Sequence, residues 1–349
     1  MSEMLINSRP VGDGHPAYII AEMSANHNQS FDAAVELIHI AKDCGVDAIK
    51  IQTYTPDTIT LNCDNEHFKI GKGTVWEGKT LYSLYGEAYT PWEWQPKLKE
   101  IANDLGLDLF STPFDFTAVD FLEDMDVPVH KIASFELVDI PLIKKVAATR
   151  KPVIMSTGMG TLSEIDEAVT AFKEAGGKDL ILLKCTSAYP APPESMNLRT
   201  IINMRETFGV PCGLSDHSLG IEIPIAAVAL GACVIEKHFT KSRADGGPDS
   251  SFSLEAHELK EMVKAVRNAE KALGKVQYAI TEKEQAGRIF RKSIFVSEDI
   301  PAGATFTKEN VRCVRPGNGM HTRHYEEILG KKSTEEIKAG TPLGWQHIS

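Results

Sequence analysis

Two histidines follow consecutive apolar runs of the sequence and are candidate metal ligands. His217 follows the run VPCGL, and His238 follows the run ACVIEK. If these runs are neighbouring parallel strands, two neutral imidazoles lie side by side and can bind a divalent metal. Because no third protein ligand is evident, we expect an open site for Mn2+, Mg2+ or Co2+ rather than a closed zinc site. The alternative is two structural histidines hydrogen-bonded to Asp216 and Glu236.

Cationic and hydroxyl side chains lie at or near the ends of other apolar runs. Lys50 lies in DAIKIQ and Lys131 lies in PVHKI. The hydroxyl residues near the ends of such runs are Thr112, Ser134, Ser156 and Ser215. Ammonium groups neutralise a phosphate or carboxylate while hydroxyl groups orient it, so this set predicts an anion-binding site. The alternatives are surface lysines and serines that cap strand ends.

Two acidic residues complete the candidate site. Glu22 ends the run AYIIAE and is a candidate general acid or base, or a ligand for sugar hydroxyls. Asp249, in the loop GGPDS, is a candidate for holding substrate. The alternatives are an ion pair between Glu22 and a lysine, and a turn cap formed by Asp249.

The hydrophobic pattern predicts the elements that position these residues. Short β-branched runs alternate with segments whose apolar residues recur every three or four positions. The predicted strands are 17–22, 47–52, 107–111, 128–132, 152–156, 179–184, 210–214 and 232–237. The predicted helices are 31–44, 92–105, 116–124, 140–149, 162–175, 197–207, 221–230 and 254–273.

Eight such repeats favour a (β/α)8 TIM barrel, a fold of the α/β class whose active site lies at the carboxyl ends of the strands. Neither GxGxxG nor GxxxxGK[ST] occurs, which removes the usual reason to expect an open nucleotide-binding sheet. The aromatic-rich stretch 57–90 is long for a strand-to-helix connection and predicts a lid or specificity element. We expect the barrel domain at 1–275, a linker at 276–287 and a small β-rich domain at 288–349.

Composition and charge restrict the partners. The net charge of −11, from 37 Lys and Arg against 48 Asp and Glu, argues against nucleic acid or an anionic membrane as partner. No run reaches the roughly 18 apolar residues of a membrane span, and no secretory signal is visible. The six cysteines are scattered without a CxxC pair, which is typical of reduced thiols. We therefore expect a cytoplasmic protein.

Eight ordered motifs and the C-terminal segment resemble the sialic acid (nonulosonic acid) synthase family. The motifs are IIAEMSANHNQS, AIKIQTY, FSTPFD, HKIASFE, IMSTGM, LLKCTSAYP, GLSDHS and VIEKHFT. The segment RKSIFVSEDIPAGATFTKENVRCVRPGNG is similar to that family's antifreeze-protein-like (SAF) domain. The resemblance covers nearly the whole chain.

The resemblance implies a metal-dependent condensation of phosphoenolpyruvate with an N-acetylated amino sugar, giving a nonulosonic acid and phosphate. It assigns the metal to His217 and His238, and the sugar to Glu22 and Asp249. It assigns phosphoenolpyruvate to Lys50, Thr112, Lys131, Ser134, Ser156 and Ser215, and the remaining substrate contacts to Gln52, Ser187 and Tyr189. Arg315, in VRPGNG, would enter the partner subunit's sugar site, which implies a domain-swapped homodimer.

The insertion sequence KTLYSLYGEAYTPWEW resembles the pseudaminic acid branch of the family. Lys184 and Ser187 stand where the N-acetylneuraminate branch has His and Asn. The expected sugar is the open-chain form of 2,4-diacetamido-2,4,6-trideoxy-β-L-altropyranose, because a deoxygenated, doubly acetylated sugar favours apolar contact. The alternatives are synthesis of N-acetylneuraminate or legionaminate, a metal-dependent hydrolase or aldolase on the same barrel, and a non-catalytic sugar-binding protein of polysaccharide assembly.

Overall fold

Eight parallel strands form the central element of the computed structural model, which describes residues 3–71, 73 and 76–349. An N-terminal pair, β1 (Glu3–Ile6) and β2 (Arg9–Gly12), precedes them. The eight are β3 (Tyr18–Glu22), β4 (Ala48–Thr53), β5 (Asp108–Pro113), β6 (His130–Ile132), β7 (Val153–Ser156), β8 (Leu180–Cys185), β9 (Cys212–Asp216) and β10 (Val234–Thr240). Each pairs with the next, and β10 also pairs with β3, which closes the sheet. The predicted (β/α)8 barrel is confirmed.

Helices connect successive strands. They are α1 (Phe31–Cys44), α2 (Pro56–Ile59), α3 (Leu81–Ala88), α4 (Gln95–Asp104), α5 (Phe116–Asp124), α6 (Ile140–Ala148), α7 (Leu162–Glu174), α8 (Thr200–Phe208), α9 (Glu222–Ala229) and α10 (Ala256–Leu273). A two-residue strand, β11 (Leu254–Glu255), pairs with β10 before α10 begins. Capping residues determine where these helices begin and end, as α1 shows. Ser30 caps α1 by accepting a hydrogen bond from the Ala33 amide, and the helix ends at Gly45, whose φ of 79° suits glycine.

Alternation along the strands separates the interior of the barrel from its outer layer. In β10, Glu236 and His238 line a cavity at the carboxyl ends of the strands. Ile235 and Phe239, which alternate with them, pack in the apolar layer shared with the helices. Because side chains in a strand point to opposite faces in turn, every second residue of β10 reaches the interior.

The β1–β2 hairpin covers the amino end of the barrel. Met4, Ile6 and Val11 are buried in a cluster with interior residues of the barrel such as Tyr18 and Phe110. The hydrophobic pattern did not predict this hairpin. It contributes apolar surface that fills the end of the barrel opposite the carboxyl ends.

Between β4 and α4 the chain forms the insertion that the sequence predicts as an irregular connection. It contains α2, a 3-10 turn at Glu66–Phe68 and α3. Ile59, Ile70, Leu81 and Leu84 of this insertion line the cavity at the carboxyl ends.

The chain divides into two compact units, with the boundary between Gly274 and Lys275. The C-terminal unit holds α11 (Glu282–Gln285), α12 (Tyr325–Ile328) and the antiparallel strands β12 (Ser293–Val296) and β13 (Val311–Val314), so the expected β-rich fold is confirmed. Its own apolar core includes Ile294, Phe306 and Ile337. In the part of the chain that the structure describes, no helix is long and apolar enough to cross a membrane.

Candidate active site

A cavity of about 500 Å³ opens at the carboxyl ends of the barrel strands. Four charged residues that line it lie on barrel strands, and we call them the polar floor: Glu22, Lys50, Lys131 and Glu236. The apolar wall consists of residues from the insertion and the end of β5: Ile59, Ile70, Leu81, Leu84 and Phe114. The cavity therefore joins a charged region to an apolar one.

A second groove, of about 770 Å³, lies near the amino ends of the strands. Its arginines are already paired, because Arg9 and Arg267 both bind the carboxylate of Asp47. Active sites of (β/α)8 barrels lie at the carboxyl ends. The cavity with the polar floor is therefore the candidate active site.

Lys50 and Glu22 form a buried ion pair in the polar floor. Lys50 Nζ lies 2.8 Å from Glu22 Oε2 and 3.6 Å from Glu236 Oε1, and it donates to Thr112 Oγ1 at 3.4 Å. Burial raises the pKa of Glu22 and the Glu236 charge adds to this, while Lys50 opposes it. The sequence left an ion pair with a lysine as the alternative role for Glu22. This ion pair is present, and Glu22 also lines the cavity.

Lys131 and Glu236 form the other half of the floor. Lys131 Nζ donates to Ser156 Oγ at 2.6 Å and lies 4.0 Å from Glu236 Oε2. Burial lowers the pKa of Lys131. Burial alone would raise the pKa of Glu236, but the charges of Lys131 and Lys50 lower it. Ser215 Oγ donates to Glu236 Oε1 at 3.4 Å, so with Thr112 and Ser156 three of the predicted hydroxyls bind charged groups of the floor.

His217 and His238 lie side by side, with ring centroids 5.2 Å apart. Burial and the neighbouring His217 lower the pKa of His238 well below its usual value, so its imidazole is neutral. His238 Nδ1 is buried, and it has no hydrogen-bond partner among the described residues. Asp216 binds Lys237 and Ser218 and does not bind His217, contrary to the structural alternative.

The histidine pair fits an open metal site. A neutral imidazole with a free, buried ring nitrogen is a suitable ligand for a divalent metal. His217 Nδ1 lies 3.2 Å from the carbonyl oxygen of Thr186, which orients its ring. Within residues 3–71, 73 and 76–349, no group of three or more His, Cys, Asp and Glu side chains is arranged to hold a metal ion.

A hydrogen-bonded chain connects the floor to Asp249. Gln52 Nε2 donates to Glu22 Oε1 at 2.9 Å and to Ser24 Oγ at 3.0 Å, and Ser24 Oγ donates to Asp249 Oδ2. Burial raises the pKa of Asp249. The ring of Tyr189 packs 4.4 Å from that of His217. These contacts set the positions of the side chains that the sequence assigns to the sugar.

Most of the predicted site residues lie around this cavity. Those that line it are Glu22, Lys50, Gln52, Lys131, Ser134, Ser156, Tyr189, Ser215, His217, His238 and Asp249. Thr112 contacts the floor through Lys50, and Ser187 lies near Cys185, 3.8 Å from its Sγ. Arg315 belongs to the C-terminal unit, and its role stays a prediction.

Glu236, Cys185 and Glu136 are among the residues of the cavity region that were not assigned from the sequence. Glu236 belongs to the polar floor, and its spacing of two from His238 in β10 was an available signal. Cys185 occupies the interior position of β8, 3.8 Å from His217 Nδ1. Glu136 lies in a 3-10 turn after β6, where no periodic pattern marks its direction.

The chain is similar to known proteins over most of its length. The chain is 48% identical to a pseudaminic acid synthase of Campylobacter jejuni over 93% of this chain and 95% of that protein. It is 44% identical to a pseudaminic acid synthase of Helicobacter pylori over 95% of this chain and 98% of that protein. The crystal structure of an N-acetylneuraminic acid synthetase from Leptospira borgpetersenii, in complex with citrate, matches with a TM-score of 0.72 and 33% identity, over 82% of this chain and 95% of that one.

Family sequence patterns divide the chain in two. The SAF domain pattern matches residues 291–349. The pattern of the NeuB family matches residues 37–278, which include seven of the eight barrel strands and nearly all of the polar floor. With the extent of its identity to the curated relatives, this shows that the chain belongs to the NeuB family.

Proposed function

We propose that the protein condenses phosphoenolpyruvate with the open-chain form of 2,4-diacetamido-2,4,6-trideoxy-altrose, giving pseudaminate and phosphate by cleavage of the C–O bond. The observation that carries this proposal is one cavity that joins two buried lysines to an apolar wall. The two similar pseudaminic acid synthases support the same reaction.

The polar floor suits a small molecule with several negative charges. Lys50 and Lys131 are buried, so their hydrogen bonds to a phosphate or carboxylate would be little screened by water. Ser134, Ser156 and Ser215 also line this region and can orient the anion's oxygens. Phosphoenolpyruvate carries both a carboxylate and a phosphate, and its size leaves the rest of the cavity for the sugar.

The apolar wall favours a deoxygenated sugar. A methyl group at C6 would pack against residues such as Leu84 and Phe114 at a gain of about 0.8 kcal/mol per buried carbon. N-acetylmannosamine carries a hydroxyl at C6, which would lose its water there at a cost of roughly 1–3 kcal/mol if left unpaired. This difference supports the altrose derivative over N-acetylmannosamine, and the legionaminate precursor is the second candidate because it shares the 6-deoxy and diacetamido groups.

The chain's own groups hold the reactants and move protons. Lys50 and Lys131 hold phosphoenolpyruvate so that its C3 faces the sugar aldehyde. C3 attacks the aldehyde carbon, water adds at C2, and the tetrahedral intermediate expels phosphate. Glu22, whose pKa is raised by burial, exchanges a proton with a sugar hydroxyl, and Gln52 and Asp249 orient the sugar. A divalent metal held by His217 and His238 would supply a Lewis acid for the aldehyde oxygen, with manganese, magnesium and cobalt as the candidates.

We also propose that the protein is a domain-swapped homodimer in the cytoplasm, in which Arg315 of each chain enters the sugar site of the other. The NeuB family membership and the matched SAF domain support this assignment.

The test is metal-dependent release of phosphate from phosphoenolpyruvate. We expect release with the altrose derivative after metal is restored to chelator-treated protein, and little release with N-acetylmannosamine. The reverse preference would reject the choice of sugar, and preference for the 2,4-diacetamido mannose isomer would favour legionaminate. Binding of the sugars without phosphate release in any arm would instead indicate a sugar-binding protein.

A further inference from the structure

One further carboxyl group lines the cavity, and it takes no part in the hydrogen bonds described above. Glu136 follows β6 in the 3-10 turn Phe135–Val138 and lines the cavity, as do Lys131 of β6 and Tyr85 of the insertion. It comes two residues after Ser134, which belongs to the predicted anion site. Glu136 is therefore placed on the side of the cavity proposed for phosphoenolpyruvate.

Glu136 differs from the other carboxyl groups of the cavity in its partners. Glu22 and Glu236 each face the ammonium group of a lysine, and Asp249 accepts a hydrogen bond from Ser24. Within the part of the chain that the structure describes, the buried Oε2 atoms of Glu22, Glu236 and Glu136 all lack a hydrogen-bond partner. Those of Glu22 and Glu236 lie 2.8 Å and 4.0 Å from a lysine Nζ, whereas Glu136 has no ion pair there. An ionised carboxylate with a buried, unpaired oxygen is costly, so this position favours the neutral acid.

We propose that Glu136 is a catalytic general acid that protonates the departing phosphate. This inference rests on the proposed condensation, because that reaction creates a leaving group that needs a proton. A neutral carboxylic acid can donate a hydrogen bond to an anion, whereas an ionised one would repel it. The polar floor supplies two cations for the substrate, and Glu136 adds a proton donor beside them.

In the tetrahedral intermediate, C2 bears a hydroxyl, a carboxylate and the phosphate ester. The bond from C2 to the bridging oxygen breaks, and that oxygen receives the proton of Glu136. The hydroxyl oxygen forms the C2 carbonyl and its proton passes to water. Proton uptake from water then restores the neutral form of Glu136.

The surroundings of Glu136 are consistent with a group that is protonated near neutral pH. Burial, with a smaller contribution from the Asp139 charge, raises the pKa of Glu136 to about 7 against the opposing charges of Lys131 and Lys50. From the insertion, the phenol of Tyr85 faces it and has a raised pKa through burial and the Glu136 charge. Because a general acid must begin protonated, phosphate release should slow as pH rises through this value.

The experiment compares Glu136→Gln with wild type and with the exposed control Glu174→Gln on α7. Glutamine keeps the size of the side chain and can donate a hydrogen bond, but it cannot transfer a proton. We expect single-turnover phosphate release to fall by about 100-fold or more in Glu136→Gln, with little change in KM for either substrate, and to lose the decline above pH 7. A loss confined to KM, or an unchanged pH profile, would overturn the proposal.

A second readout separates this inference from the proposed function. The infrared absorption of a protonated carboxyl group, titrated from pH 5 to 9 without substrate, should contain a component that is missing in Glu136→Gln and present in Glu174→Gln. Absence of that component in wild type near neutral pH would reject Glu136 as a proton donor even if turnover occurs. If wild type shows the component but releases no phosphate with any of the three sugars, the proposed condensation fails while the neutral acid in the cavity stands.

Discussion

Replacing Lys237 by methionine should destabilise the barrel by removing one member of a fully buried ion pair. Lys237 Nζ lies 2.5 Å from Asp216 Oδ2, both side chains are inaccessible to solvent, and the same ammonium donates to the carbonyl oxygen of Ser218. Removing one partner of such a pair costs about 3–5 kcal/mol, because the other charge stays buried. Since Asp216 keeps the hydrogen bonds from Ser218, we expect the lower end of this range, about 3 kcal/mol.

The same pair supports the candidate metal site. Asp216 and Ser218 flank His217, and Lys237 precedes His238, so the ion pair holds the backbone behind both imidazoles. We therefore expect Lys237→Met to weaken Mn2+ binding as well as lower the free energy of unfolding. Chemical denaturation and calorimetric titration with Mn2+ measure the two effects.

The double variant Lys237→Met, Asp216→Leu is the matched control. Replacing both members of a buried pair by apolar residues is often close to neutral, so the double variant should recover most of the stability lost by Lys237→Met. A loss below about 1 kcal/mol in the single variant, or a double variant less stable than the single one, would refute the reasoning.

Three further predictions concern the cavity and the assembly. His238→Ala should bind Mn2+ more weakly than wild type and lose metal-dependent phosphate release without a change in circular dichroism; unchanged metal affinity would exclude it as a ligand. Leu84→Asn should raise KM for the altrose derivative by roughly 10-fold, because it places an amide against the apolar part of the sugar. An unchanged KM would show that the apolar wall does not contact the sugar. Coexpressed His217→Ala and Arg315→Ala chains, each inactive alone, should form mixed dimers with activity, because one site then receives both residues; inactive mixed dimers would indicate that Arg315 acts within its own chain.

The barrel could be predicted from the sequence because its signals are periodic. Eight apolar runs separated by amphipathic segments define the topology, and polar residues at the run ends define the cavity. The hairpin β1–β2 could not be predicted in this way, because its strands have four residues each and its turn uses Asn7 and Ser8 at positive φ instead of glycine.

Within the site, the sequence did not predict which individual side chains point into the cavity. Lys184 is polar and ends a predicted strand, yet its ammonium binds the carbonyl oxygen of Cys185, and Cys185 takes the interior position. One position of register exchanges the two faces of a strand, so residue type alone does not decide which side chain enters the cavity. Glu136 lies in a 3-10 turn, where no period of two applies.

The charges of the polar floor balance one another within the buried part of the cavity. Two ammonium groups, of Lys50 and Lys131, are matched by the carboxylates of Glu22 and Glu236, so the floor carries no uncompensated charge. An incoming phosphate or carboxylate competes with these glutamates for the same lysines. The displaced carboxylates become stronger bases, because they lose the charges that lower their pKa values. In the proposed reaction, binding of the anion would therefore prepare Glu22 to accept a proton and couple substrate binding to the proton transfers that the condensation requires.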